Sequence, residues 1–297
     1  MSETPGGAHE PITGRYLAID AAGDTYRTYY ETAGTGDIPL VCLHTAGADS
    51  RQYRHQLTDG DLGEIFTLYA FDMPWHGRTY PPMDREWWLD EYKLTTDFYA
   101  GFITAFVEAL DLDRPVAMGC SMGGEIVLEL AAEHADTFRA VVGLETTDNI
   151  SLDETGYDDT MMDYFSHPEI DQEAFRAEWC QGLHGPNTPE ANVRETAWLY
   201  AQSGTGVYAG DLHFYTRDFD ARDQLSDIDT DDCGVYLLTG EYDFSATPDD
   251  TRRVADAIDG AWFEVMDGLG HYPVTEAPTE FNDYLLDVAA EIVETAA

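Results

Sequence analysis

The chain has 297 residues, of which 58 are acidic and 15 are lysine or arginine, and its formal net charge at pH 7 is −43. Nucleic-acid binding needs a basic surface, so this balance excludes it and also disfavours an anionic membrane surface. Hydrophobic residues make up 43% of the chain, which suffices for a sizeable core and excludes wholesale disorder. No uncharged apolar run reaches the roughly 18 residues that a membrane span needs, so we expect no membrane contact.

The acidic residues are spread along the whole chain, and Lys93 is its only lysine. This composition resembles that of proteins from halophiles that keep molar salt in the cell; an ordinary acidic mesophilic protein is the alternative. Such a surface repels itself at low ionic strength, whereas molar salt shortens the Debye length to about 3 Å and screens the repulsion. We therefore expect a soluble protein whose folding is strengthened by salt.

The first residues of the chain are polar and lack the basic and apolar regions of a secretory signal. We expect residues 1–11 to be flexible and the protein to be cytoplasmic. The cysteines are scattered, with no pair at metal-ligand spacing, and this pattern favours buried free thiols in a reducing compartment. They are Cys42, Cys120, Cys180 and Cys233.

Short apolar runs bounded by turn residues alternate with helical periodicity, as in βαβ units around a mostly parallel sheet. The first two runs alternate in polarity and predict an antiparallel edge, whereas the later runs are almost continuously apolar and predict strands buried on both faces. The eight predicted strands are 16–20, 26–32, 40–44, 65–72, 115–120, 140–145, 235–239 and 261–266.

The helical patterns divide the chain into a core and an insertion. Core helices are predicted at 91–110, 122–134, 248–258 and 278–293. The strand signal is absent between the sixth and seventh predicted strands, where the pattern indicates helices at 160–165, 172–183 and 189–202. We therefore predict a first core part at 12–146, a helical insertion at 147–228 and a second core part at 229–295.

The strongest chemical signal is Gly119-Cys120-Ser121-Met122-Gly123, which lies between an apolar strand and a helical pattern. A G-x-S-x-G turn in this context is tight and strained, because any Cβ at the flanking glycines collides with the neighbouring helix or strand. The turn exposes the hydroxyl of Ser121 beyond the sheet edge, next to the free N–H groups of a helix N-terminus. Ser121 is therefore a candidate nucleophile.

A serine nucleophile needs a base and an orienting acid, and both follow Ser121 in the chain. Asp243 comes directly after the seventh predicted strand, and His271 comes after the eighth, within a glycine-rich loop. Asp243 can instead be the N-cap of the helix that begins near residue 248. Glu145 and Asp148, which follow the sixth strand, are the rival acids.

The loop after the third predicted strand is the expected source of a second oxyanion donor. It reads His44-Thr45-Ala46-Gly47, and we expect the N–H of Ala46 to act together with the N–H of Met122. We interpret His44 as a structural residue that holds this loop.

The elbow at 119–123, the 44–47 loop, the 71–78 stretch and the 240–243 and 268–271 motifs together resemble the α/β-hydrolase superfamily over residues 16–293. The resemblance implies an eight-stranded sheet, a lid inserted after strand six, Ser121 as nucleophile, His271 as base and Asp243 as acid. Thr45 stands where relatives usually have glycine, which leaves the choice of Ala46 over Thr45 open. A serine at position 121 argues against relatives that use an aspartate nucleophile, namely haloalkane dehalogenases and epoxide hydrolases.

These observations predict a serine hydrolase that cleaves a carboxylic ester of a small to medium, partly apolar substrate without cofactor or metal. The insertion is rich in aromatic residues and methionine, which suits an adaptable pocket wall or simply the packing of helices on the core. The alternatives are a carbon-carbon bond hydrolase or cofactor-free perhydrolase of the same fold, and a non-catalytic small-molecule receptor. The expected partner is the small-molecule substrate alone, and the protein is expected to be a monomer or a dimer.

Overall fold

The computed structural model describes residues 9–84, 86–150, 167 and 169–295. Eight strands form one sheet in the order β1-β2-β4-β3-β5-β6-β7-β8. The pairs β1/β2 and β2/β4 are antiparallel, and the remaining pairs are parallel. The strands are β1 (Thr13–Ala21), β2 (Asp24–Ala33), β3 (Ile38–Leu43), β4 (Phe66–Phe71), β5 (Val116–Cys120), β6 (Ala140–Leu144), β7 (Gly234–Gly240) and β8 (Trp262–Met266).

In the described ranges, helices cover both faces of the sheet, and three further helices lie between β6 and β7. They are α1 (Arg54–Leu57), α2 (Gly60–Ile65), α3 (Thr96–Ala109), α4 (Met122–Glu133), α5 (Gln172–Gln181), α6 (Glu190–Ala201), α7 (Val207–His213), α8 (Pro248–Ala257), α9 (Pro273–Glu276) and α10 (Pro278–Thr295). Single 3-10 turns lie at Ser50–Tyr53, Trp87–Leu89 and Leu225–Asp227, and a π-helical turn at Phe214–Asp218 follows α7. None of the helices in these ranges is long and apolar enough to cross a bilayer.

The central strands have an apolar residue at almost every position because both of their faces are buried. In β3, Val41 and Leu43 pack into the core shared with α3 and α4, while Leu40 and Cys42 pack into the core shared with α10. Successive side chains of a strand point to opposite faces, which produces this alternation. The sheet is therefore the middle layer of three, and the carboxyl ends of its parallel strands lie at one edge.

All eight predicted strands and the antiparallel edge are confirmed, with small differences at their ends. The prediction of a helix at 91–110 is wrong at its beginning, because α3 begins at Thr96. The hydroxyl of Thr95 accepts from the N–H of Phe98 and caps the helix, and the N–H of Leu94 donates to the carbonyl of Gly210 at 3.0 Å. The segment before α3 is thus bound to α7 instead of continuing the helix.

The connection between β6 and β7, residues 145–233, contains α5, α6 and α7. The helices predicted at 172–183 and 189–202 correspond to α5 and α6, each slightly shorter than expected. The predicted helix at 160–165 lies outside the described residues. Helix α7, which begins directly after the glycine-rich break at 203–206, was not predicted from the sequence.

Candidate functional site

Ser121 lies on a strained turn between β5 and α4. Its φ is 56° and its ψ is −115°, a backbone region that residues with a side chain rarely adopt. A Cβ on Gly119 would lie 2.1 Å from the carbonyl oxygen of Gly123, and a Cβ on Gly123 would lie 2.4 Å from the carbonyl oxygen of Leu43. The steric reason expected for the two glycines is therefore confirmed, and the turn directs the serine side chain away from the sheet.

A small cavity of about 10 Å³ lies over the turn at the carboxyl edge of the sheet. Ser121, His271 and Ala46 all contribute to its wall. A volume of this size holds about one water molecule, so the site is closed to larger molecules in this conformation. The other lining residues are Thr45, Leu183, Tyr200, Tyr208, Leu212, Tyr215, Ser245 and Tyr272.

His271 and Asp243 form a buried pair beside this cavity. The Nδ1 atom of His271 lies 2.7 Å from Oδ2 of Asp243, and Oδ1 of Asp243 accepts from the N–H of Ser245 at 2.7 Å. Burial alone would raise the pKa of Asp243, but the attraction of His271 and the hydrogen bonds it receives outweigh burial and lower that pKa. Helix α8 has its own cap in Thr247, which excludes Asp243 as the N-cap.

The two rival acids have other partners. Glu145 is fully buried, has a φ of 55° and accepts from the N–H of Gly240 at 3.1 Å. Burial and repulsion by the neighbouring Asp243 raise the pKa of Glu145 well above its usual value, and its side chain is hydrogen bonded to Asp243. Asp148 forms an ion pair with Arg253 at 3.0 Å. Of the three acids, the contacts place Asp243 against the imidazole.

The loop that carries His271 is held by the β6–β7 connection. The N–H of His271 donates to the carbonyl of Leu183 at 2.9 Å. The buried carboxylate of Glu276 accepts from the N–H of Gly270 at 2.5 Å and from the N–H of Gly185 at 2.7 Å. Glu276 therefore bridges the histidine loop and the β6–β7 connection, a role that was not predicted from the sequence.

The loop after β3, residues 44–48, is named the oxyanion loop after the donor role that the sequence predicts for Ala46. The N–H of Thr45 donates to Oε1 of Gln52 at 2.9 Å, and the carbonyl of Thr45 accepts from Nδ1 of His44 at 2.9 Å and from the N–H of Ala48 at 3.1 Å. The carbonyl and N–H of a trans peptide point in opposite directions, so the N–H of Ala46 points away from those two donors.

Two backbone N–H groups at the site, those of Ala46 and Met122, have no protein acceptor within the described ranges. Met122 is the first residue of α4, where N–H groups lack an intrahelical partner. The N–H of Thr45 is already bonded to Gln52, which favours Ala46 over Thr45 as the donor.

His44 is neutral and supports the loop. Its Nε2 accepts from the N–H of Met73 at 3.1 Å while its Nδ1 donates to the carbonyl of Thr45. Burial and repulsion by His76, whose ring centroid is 4.8 Å away, lower the pKa of His44 to about 4. Both nitrogens are bonded to backbone groups, which agrees with the interpretation of His44 as a structural residue.

Three of the four tyrosines that line the cavity have hydroxyls paired with one another or with serine. The hydroxyl of Tyr272 donates to that of Tyr200 at 3.1 Å, and the hydroxyl of Tyr215 lies 3.1 Å from Oγ of Ser245. Their rings therefore present a mainly apolar wall. No group of three or more His, Cys, Asp or Glu side chains in the described part of the chain is arranged to hold a metal ion.

A mostly parallel sheet of eight strands, with a serine on a strained turn after its fifth strand, is the architecture of an α/β-hydrolase. The family described as alpha/beta hydrolase fold matches residues 38–278, and the chain belongs to this family.

Several known proteins are similar to the chain along most of its length. A pimeloyl-(acyl-carrier protein) methyl ester esterase of Yersinia pseudotuberculosis is 25% identical over 277 residues, covering 89% of this chain and 97% of that protein. A thermophilic esterase from Thermogutta terrifontis has a TM-score of 0.79 at 19% identity, covering 94% of this chain and 99% of that one. A bromoperoxidase from Bacillus anthracis has a TM-score of 0.75 at 19% identity, covering 93% of this chain and 100% of that one.

Proposed function

We propose that the protein is a serine hydrolase that cleaves a carboxylic ester through an acyl-enzyme intermediate. The observation that carries this proposal is the joint presence of Ser121, on its strained turn, and His271, bonded to Asp243, on the wall of one small cavity. The similarity to an enzyme named as a methyl ester esterase supports an ester as the substrate.

The proposed reaction follows from the donors and acceptors around Ser121. His271 donates through Nδ1 to Asp243, so its Nε2 is the basic nitrogen that takes the proton of Ser121. The serine oxygen attacks the ester carbonyl, whose oxygen becomes negative. The N–H groups of Ala46 and Met122 stabilise this oxyanion. The ester C–O bond then breaks as the imidazolium gives its proton to the leaving alcohol. Water attacks the acyl enzyme by the same steps, which releases the carboxylic acid and restores Ser121.

The cavity wall supports a small to medium, partly apolar substrate. Its aromatic and leucine side chains offer apolar contact, and most tyrosine hydroxyls there already have partners. A volume of about 10 Å³ leaves little room for an acyl chain unless side chains of the β6–β7 connection move. Short acyl groups are therefore the expected substrates.

The test is labelling with a fluorophosphonate probe in high salt, with the labelled peptide mapped by mass spectrometry, alongside turnover of p-nitrophenyl esters. We expect the label on Ser121, and we expect Ser121→Ala to lose both label and turnover. Ser245→Ala is the matched control, since it removes another serine hydroxyl of the same cavity and leaves the elbow intact; it should keep the label.

The outcomes separate the alternatives. Label on a residue other than Ser121, or near-normal turnover by Ser121→Ala, contradicts the proposal. Cleavage of a vinylogous diketone with negligible ester turnover indicates a carbon-carbon bond hydrolase. Thermal stabilisation by a ligand without product or label indicates a receptor.

A further inference from the structure

Asp211, in α7, is a buried carboxylate that joins three separate segments of the chain. Its Oδ2 accepts from the N–H of Gly47 at 2.7 Å and lies 2.8 Å from Nε2 of His76, while its Oδ1 accepts from the hydroxyl of Tyr92 at 2.9 Å. A carboxylate without solvent contact is stable only when its oxygens are hydrogen bonded and its charge is paired. Asp211 is fully buried, and these three donors meet that requirement.

His76 supplies the compensating charge. Its Nδ1 lies 3.0 Å from the carbonyl oxygen of Pro74, and its Nε2 faces Asp211, so both nitrogens have an acceptor. A ring that donates from both nitrogens is an imidazolium. Burial alone would lower the pKa of His76, but the attraction of Asp211 and the hydrogen bonds to Asp211 and Pro74 outweigh burial and raise it.

Helix α7 packs closely against the oxyanion loop in addition to the hydrogen bond from Gly47 to Asp211. Gly47 has a φ of 68°, and a Cβ on it would lie 2.7 Å from Cδ2 of Tyr208. Tyr208 and Asp211 are three residues apart in α7, so they lie on the same face of the helix. One helical face therefore packs on the loop and also binds the N–H that follows Ala46.

We propose that Asp211 is a positioning residue for the oxyanion loop: by binding the N–H of Gly47, it fixes the peptide that follows Ala46. It thereby helps to hold Ala46 where its own N–H is directed at the oxygen that becomes negative during ester cleavage. The proposal rests on the serine-hydrolase function proposed above. The peptide that carries the N–H of Ala46 is held through the carbonyl of Thr45, which accepts from His44 and Ala48. The next peptide, Ala46–Gly47, is held by α7 through Asp211. Loss of the carboxylate removes the hydrogen bond that holds the Ala46–Gly47 peptide, so that Ala46 is hydrogen bonded in place on one side only.

The experiment compares Asp211→Ala, Asp211→Asn and Tyr92→Phe on p-nitrophenyl acetate, with kcat normalised to sites titrated by the fluorophosphonate. Removal of an oxyanion donor costs about 100- to 1,000-fold in kcat, and loosening one should cost less, so we expect a fall of about 10- to 100-fold in Asp211→Ala with KM little changed. Asn keeps an acceptor for Gly47 and should restore much of the loss. Tyr92→Phe removes a donor from the other oxygen, Oδ1, and is the matched control.

Affinity for a boronic acid, which mimics the tetrahedral intermediate, supplies a second readout. It should fall in parallel with kcat in Asp211→Ala, because the oxyanion donor acts on the transition state and not on bound ester. If Asp211→Ala does not fold, Asp211→Leu replaces it, since it fills the space without an acceptor.

Three results decide the proposal. An unchanged kcat per titrated site in the folded Ala or Leu variant, with only a lower melting temperature, overturns it and assigns Asp211 to structural support. An equal loss in Asn and Ala also overturns it, because the acceptor for Gly47 would then be irrelevant. Failure of the wild-type protein to label or to turn over ester contradicts the serine-hydrolase function itself.

Discussion

At the scale of single residues, the site combines two buried carboxyl groups whose pKa values are driven apart. Asp243 is paired with His271 and its pKa is lowered, whereas Glu145, beside it, has a pKa well above its usual value because of burial and the Asp243 charge. Two adjacent buried carboxylates cannot both ionise at low cost, so one carries the charge and the other keeps its proton. A protonated Glu145 can donate to Asp243 and accept from Gly240 at once.

We predict that Glu145→Gln changes the pH dependence of stability. Folding raises the pKa of Glu145, so its stabilising contribution is complete below the unfolded pKa of about 4.3 and is lost as pH rises toward the folded pKa. Glutamine keeps a donor and an acceptor but does not titrate. The variant should therefore gain unfolding free energy relative to wild type, by up to about 1.4 kcal/mol for each pH unit within that window.

Chemical unfolding of both proteins at several pH values between about 4 and 8, in the same high salt, measures this gain. Parallel stability curves would show that Glu145 has the same pKa in the folded and unfolded chains. Asp223→Asn, at an exposed acid, serves as the control for a general loss of negative charge.

At the scale of elements, α7 separates two cavities. Tyr208 and Leu212 line the small cavity over Ser121, whereas Ala209, Gly210 and His213 line an outer cavity of about 330 Å³ on the other side of the helix. The wall between the site and this outer space is therefore one short helix. The side chains that α7 contributes to the inner cavity are therefore one place where its volume can be changed.

Leu212→Ala should shift the acyl preference toward longer chains. Removal of the isobutyl group enlarges the inner cavity, so kcat/KM for p-nitrophenyl hexanoate should rise relative to acetate, while stability falls by about 2 to 5 kcal/mol. Val207→Ala is the control, because Val207 is buried in the same helix but does not line that cavity. A similar shift in both variants would indicate general loosening of α7 instead of a local change in volume.

An element can be predicted from the sequence when the interactions that form it lie between residues close together in the chain. The β strands were predicted because apolar runs reflect burial on both faces, and the elbow at Ser121 because its glycines answer a steric requirement within five residues. Helix α7 was not predicted because it is short. Its residues also face two cavities and a packed loop, so its apolar residues do not recur with the 3.6-residue period of an amphipathic helix. The start of α3 was misplaced because a tertiary hydrogen bond to Gly210 holds Leu94.

At the scale of the whole molecule, the excess of acidic residues makes the few buried carboxylates that hold loops difficult to recognise in the sequence. Asp211 and Glu276 are inside the fold and bind loop N–H groups, yet in the sequence they look like any other of 58 acidic residues. Asp243 was predictable because it follows a strand end in the expected order. Asp211 and Glu276 carry no such local signal, since Asp211 binds Gly47 across 164 residues and Glu276 binds Gly185 across 91 residues.

The net charge of −43 leads to a prediction about salt. The 15 lysine and arginine residues cannot neutralise 58 acids, and the repulsion among the excess carboxylates opposes the compact state. Raising KCl from about 0.1 M to about 1 M shortens the Debye length from about 10 Å to about 3 Å, so most of the stabilisation should appear within that range. Circular dichroism during thermal unfolding, from about 0.1 M to 3 M KCl, measures it.

Sucrose at matched osmolarity is the control, because it stabilises by exclusion from the surface and not by screening. Screening predicts a rise in melting temperature that is steep below about 1 M KCl and then flattens, whereas exclusion predicts a rise that continues with concentration. The acidic surface would then be an adaptation to salt that acts on folding, separate from the chemistry at Ser121. A melting temperature that does not respond to KCl would contradict the halophile interpretation and would require the carboxylates to be compensated within the fold.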